Sequence, residues 1–67
     1  MNQGTLGEIP GRGYATVKAV SAYTGVSVAR LYQLMNAGLL EYVKLGKSRR
    51  IAWHAADELM QRHTVKA

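Results

Sequence analysis

Apolar residues recur along this chain with a spacing that changes from segment to segment. In "TVKAVSAYTG", residues 16–25, Val17, Val20 and Tyr23 fall on one side of a helix with the small Ser21 beside them. Thr16 suits the N-cap and Gly25 the C-terminal stop, so the pattern predicts a helix of about two and a half turns. Ser27 can cap a second helix, "VARLYQLMNA", whose apolar stripe is Leu31, Leu34 and Met35 with Val28 at its edge. Ala29, Arg30, Gln33 and Asn36 face the other way, and Gly38 ends the helix. Two short helices joined by a tight Gly-Val-Ser turn make a helix-turn-helix.

The period then drops to two. In "LLEYVKLGKSRRIAW", Val43 and Leu45 alternate with Tyr42 and Lys44, as in a half-buried strand that turns its apolar residues inward. Gly46-Lys47-Ser48 reads as a hairpin turn, and Arg49 to Trp53 as the return strand with Ile51 buried. "HAADELMQRH" restores helical spacing through Ala56, Leu59, Met60 and His63. Its acids fall in the expected first turn and Arg62 in the last, which suits the helix dipole, although Ala52 is a poor cap. Met35 and Met60 read as core fillers and Trp53 as a lid on the core.

Residues 1–13 hold four of the seven glycines and the only proline, without periodicity, and are expected to form a flexible arm. The folded domain is expected over residues 14–63, with a tail over 64–67. The predicted fold is mainly α with a small β-hairpin (α+β), a winged helix-turn-helix in the order α1-α2-β-hairpin wing-α3.

Composition narrows the picture. Sixty-seven residues allow one small domain, and 48% hydrophobic residues are too many for a disordered chain. Without cysteine there is no disulfide framework and no thiolate zinc site. No apolar run nears the roughly 18 residues of a membrane span, and the N-terminus lacks a secretory pattern, so a cytoplasmic protein is expected.

Charge changes more. The net charge is +5, and between Ile9 and His54 only Glu41 opposes seven Lys and Arg residues. "KLGKSRR", residues 44–50, holds four of the nine basic residues at the tip of the expected hairpin. A cluster there, directly after a helix-turn-helix, predicts double-stranded DNA as the partner. The second helix would read base edges in the major groove while the hairpin meets phosphates. Thr16 and Arg12 are further candidates for backbone contact.

"GVSVARLYQLMNAGLLEYVKLGKSRRI" also resembles the excisionase-type branch of the MerR-like winged-helix superfamily. The resemblance lies in Gly-Val-Ser before a helix containing Leu-Tyr, then Gly38, then Val-Lys-Leu-Gly-Lys before a basic strand. It implies a recombination directionality factor of a phage or mobile element, nucleoid-associated in its host cell. Such a factor binds tandem sites side by side, self-associates there, bends DNA and assists an integrase during excision. Many such proteins also repress nearby promoters. The recognition-helix positions would be Ser27, Val28, Ala29, Arg30, Tyr32 and Gln33, and the wing positions Lys44, Lys47, Ser48, Arg49 and Arg50. Val28 and Ala29 offer little hydrogen bonding, so direct readout would rest on Arg30, Gln33 and an apolar contact to a thymine methyl.

Other chemistry finds little support in the residues. His54 and His63 lack partners at metal-ligand spacing, Asp57 and Glu58 diverge on their helix, and no serine has a recognisable base. The expectation is therefore no enzyme, no cofactor, no metal and no small-molecule substrate. A membrane-surface role lacks a basic amphipathic helix. A small transcriptional regulator uses the same surface as an excisionase, whereas an RNA-binding accessory protein would need exposed aromatic side chains for stacking.

Overall fold

The two leading helices start and stop where capping chemistry dictates. In the computed structural model, which describes residues 13–65, α1 spans Val17–Thr24 and α2 spans Val28–Asn36. Thr16 Oγ1 accepts from the Ala19 N–H at 3.0 Å, and Ser27 Oγ accepts from the Arg30 N–H at 3.1 Å. Each cap satisfies a backbone donor that the first helical turn leaves without an intrahelical partner. Gly38 closes α2 at φ +77°, donating to the Met35 carbonyl while Leu39 donates to that of Leu34. That pair of bonds is a Schellman stop, which needs a left-handed residue.

The intervening turn is held by side chains. Ser21 Oγ donates to the Val26 carbonyl at 2.6 Å, and Thr24 Oγ1 accepts from the Val26 N–H at 3.1 Å. Ser21 is thus a turn-fixing residue as well as a small one.

β2 (Val43–Leu45) and β3 (Ser48–Ala52) form the expected hairpin about a Gly46-Lys47 turn. Gly46 has φ +61° and no other residue has positive φ there, the pattern of a type II′ turn. A strand that the periodicity did not predict, β1 (Tyr14–Thr16), pairs antiparallel with β3 and makes a sheet of order β1-β3-β2. The Trp53 N–H extends that pairing to the Gly13 carbonyl at 3.0 Å. The last helix, α3 (Trp53–Arg62), completes a small α+β winged helix-turn-helix. Of the expected arm, residues 1–12 lie outside the described residues, as do Lys66 and Ala67 of the expected tail.

Val20 of α1, Leu31 of α2 and Ile51 of β3 are the largest fully buried side chains. Leu59, Ala56 and Trp53 of α3 close the core around them. Burying each large aliphatic chain contributes about 1.5–3 kcal/mol, a large share of the stability a small domain has.

Three expectations need correction. Val43 and Leu45 do not face inward: they are 39% and 58% exposed. Val43 lies opposite Arg50, and Leu45 opposite Ser48, so the strand alternation about buried Ile51 puts both on the outer face. That face has no second layer over it among the described residues. Met60 is 40% exposed rather than a core filler, while Met35 is buried as expected. Because α3 begins at Trp53, Asp57 and Glu58 stand in its second turn, and its first turn carries no acid. Ala52 caps that helix without a side-chain bond, as its chemistry requires.

Asp57 has a structural use instead. Tyr23 Oη donates to Asp57 Oδ1 at 2.7 Å, and the Tyr23 ring meets Trp53 edge-on with centroids 5.3 Å apart, tying α1 to α3. The bond to Asp57, reinforced by desolvation and by the carboxylate's charge, raises the Tyr23 pKa above the ordinary 10.0. A raised phenol pKa stabilises the fold below pH 10.0, and that contribution is lost as pH rises through the folded-state value. Tyr23→Phe is therefore expected to lower the urea midpoint near neutrality, with the gap to wild type closing as pH rises beyond about 10. A gap of constant size across that range would contradict the assignment.

Candidate nucleic-acid interface

Three elements converge on one open cleft. Its walls are Thr16 and Lys18 at the start of α1, Val28 and Tyr32 on α2, and Lys47, Ser48, Arg49 and Arg50 of the wing. The core sets which way the side chains of each wall face. Leu31 is buried under α2, so Val28 and Tyr32, one turn apart, stand on the flank toward the hairpin. Ile51 is buried under β3, so Arg49 shares its inner face while Ser48 and Arg50 take the outer one.

The cations of the cleft are held differently. Lys47 is exposed at the turn and makes no hydrogen bond, ion pair or ring contact among the described residues. Arg50 is half-buried and its Nη1 donates to the Arg49 carbonyl at 3.1 Å, leaving further donors unspent. Arg49 is engaged far more heavily. Its guanidinium carbon lies 5.0 Å from the Tyr32 ring centroid and 4.5 Å from that of Tyr42, and its Nη1 donates to Asn36 Oδ1 at 3.2 Å. Both distances fall within cation–π range.

Not every expected residue reaches the cleft. Ala29, Arg30 and Gln33 are exposed on α2 but do not line it. Arg30 Nη1 donates to Gln33 Oε1 at 3.3 Å, so the two side chains form one polar group on the outer surface of the helix. Arg30 also borders an apolar groove toward α3, lined by Leu34, Leu39 and Met60. Ser27 is exposed but its oxygen already serves the cap. Lys44 stands opposite Arg49 in the β2–β3 ladder, outside the cleft walls. Thr16 reaches the cleft while its hydroxyl caps α1. Arg12 lies outside the described residues.

Three participants escaped the sequence reading. Lys18 follows the α1 cap by two residues, and the first helix of such a pair crosses the DNA backbone, which was the available signal. Tyr42 is on the inner face with Lys44, within reach of a cross-strand cation. Asn36 is one turn beyond Tyr32, and only tertiary structure brings it to Arg49.

A family model described as a helix-turn-helix domain matches residues 16–64, most of the chain. The chain belongs to the helix-turn-helix domain family. Domains of this family bind DNA and occur in excisionase-like proteins. No curated protein and no solved structure gives a significant match. The matched helix-turn-helix segment starts at the Thr16 cap and takes in every element from α1 to α3. Among the described residues no group of three or more His, Asp or Glu side chains is placed to hold a metal ion, and no helix is long and apolar enough to cross a membrane.

The cap at Ser27 sets where α2 begins and hence which residues its first turn presents. Ser27→Ala is expected to cost about 1 kcal/mol of stability, and Ser27→Asp to recover most of it, because either oxygen accepts from the Arg30 N–H. Urea denaturation of the two variants checks this. Equal destabilisation by both would show that the cap is not what the hydroxyl contributes.

Proposed function

We propose that the chain is a non-catalytic, sequence-specific DNA-binding factor of the excisionase type. In this reading α2 enters the major groove of double-stranded DNA, and Lys18, Lys47 and Arg50 meet the phosphates on either side. The observation that carries it is the cleft itself, where the exposed start of α2, the start of α1 and the basic wing share one surface. Arg30 and Gln33, joined on the outer surface of α2, supply base contacts, and Val28 and Ala29 supply apolar ones. The phosphate contacts give affinity and register, and the helix gives sequence preference.

One copy buries only about 600–1,000 Å² against DNA, the range of a single small module. Discrimination then comes from several copies on tandem sites, where adjacent binding raises effective concentration. The wing of one copy would lie near α3 of the next. Glu58 is the acid of α3 available to it, because Asp57 is held by Tyr23. Such an array bends the duplex and presents it to an integrase, as an excision factor must. A nucleoid location follows from the partner.

A small repressor would use the same surface and is separated from this reading by behaviour on two sites. The RNA-binding alternative loses ground on a specific observation. Tyr32 and Tyr42, aromatic side chains beside the wing, already face Arg49 and are not free platforms for unpaired bases.

Replacing Lys47 and Arg50 together by Ala is expected to flatten the dependence of log affinity on log salt by roughly 1.8, about 0.9 per lost phosphate contact. An unchanged slope in a folded double variant would remove the wing from the interface. Replacing Arg30 or Gln33 by Ala is expected to cost about 1–3 kcal/mol on the specific site and much less on random duplex. Equal losses on both DNAs would make them backbone anchors. On a two-site duplex the doubly bound, bent complex is expected early in the titration. Independent filling without added bend leaves the repressor reading.

A further inference from the structure

We propose that Arg49 is not a phosphate ligand but the residue that fixes the wing against α2. This rests on the reading of α2 and the wing as one DNA-binding surface and deepens it by naming what sets their relative position.

Backbone packing alone does not set that position. α2 packs mainly on α1, whereas β3 packs on β1, β2, α1 and α3. The backbones of α2 and the hairpin are not among the closely packed pairs, so side chains must span between them. Beyond the buried core, Arg49 does so from β3. It reaches Tyr32 and Asn36, one turn apart on the flank of α2, and it also lies over Tyr42 just before β2.

The chemistry suits arginine alone. A planar guanidinium lies flat over aromatic rings while donating in its own plane, and a lysine ammonium has no such plane. No acid pairs with Arg49 among the described residues, so its charge is met by ring faces and an amide oxygen. A guanidinium committed in this way is a poor candidate for a phosphate, in contrast to its neighbour Arg50 on the opposite face of the strand.

Arg49→Ala, Arg49→Lys and Tyr32→Phe decide the matter in two arms. In duplex-DNA titrations, Arg49→Ala is expected to leave the salt slope unchanged and to lower the ratio of specific to random binding by about tenfold, the scale of a lost base contact. Arg49→Lys is expected to behave like Arg49→Ala, and Tyr32→Phe, which keeps the ring, like wild type. In ¹⁵N relaxation of the free protein, both Arg49 variants are expected to lower the order parameters of residues 44–50 from the rigid value near 0.85 toward about 0.6. Loss of about 0.9 in salt slope with rescue by lysine would make Arg49 a phosphate ligand and overturn the proposal. Unchanged wing order in Arg49→Ala would overturn it equally. Should the wild type bind no duplex, the DNA reading fails, and the relaxation arm still decides whether Arg49 holds the wing.

Discussion

The burial of Ile51 sets the phase of the wing strand, and with it which way each residue of the basic cluster faces. Ile51 sits with no exposure between helices and sheet, packed into the cluster that holds Val20 and Leu31. A strand alternates faces at every residue, so this one burial puts Arg49 on the inner face beside Tyr32, and Ser48 and Arg50 on the other face of β3. A register slip of one residue would exchange the two arginines. The cluster "KLGKSRR" is therefore not a uniform patch of charge. It is one cation at a turn, one held over two tyrosine rings and one on the outer face, with Lys44 opposite the second.

The same core positions the other half of the surface. Leu31 buried on α2 leaves Val28 and Tyr32 on the wing side and the Arg30–Gln33 pair outside. α1 delivers Lys18 to the same cleft because β1 runs directly into the Thr16 cap. A small chain affords few such contacts, so single side chains carry structural roles that a larger fold would spread over a layer. Tyr23 joins α1 to α3 through Asp57 and Trp53, and Arg62 joins α3 to the loop after α2 through the Leu39 carbonyl at 3.1 Å.

The helices were legible because their signals are local. Thr16, Ser27, Gly25 and Gly38 act within their own turns, and each does what its chemistry suggests. The hairpin was legible for the same reason at Gly46. What the sequence hid is what depends on a distant partner. Tyr14–Thr16 is too short to show a period and exists as a strand because β3 offers it an edge. Val43 and Leu45 looked like the buried side of a strand, yet Ile51 on the neighbouring strand sets the phase and turns them outward. Met60 follows helical spacing but falls beside the groove rather than in the core. In the candidate interface, residue types predicted which side chains were cationic. They did not predict that Arg49 would be committed to Tyr32, Tyr42 and Asn36.

The central claim is that α2, the start of α1 and the turn of the wing form one continuous surface for double-stranded DNA. Mapping amide shifts of the labelled protein during titration with a specific duplex tests it most directly. The account expects the largest changes at Lys18, across residues 28–33 and at Lys47 to Arg50, with α3 beyond Asp57 little altered. Changes centred instead on α3, with Lys18, residues 28–33 and Lys47 to Arg50 little altered, would contradict it.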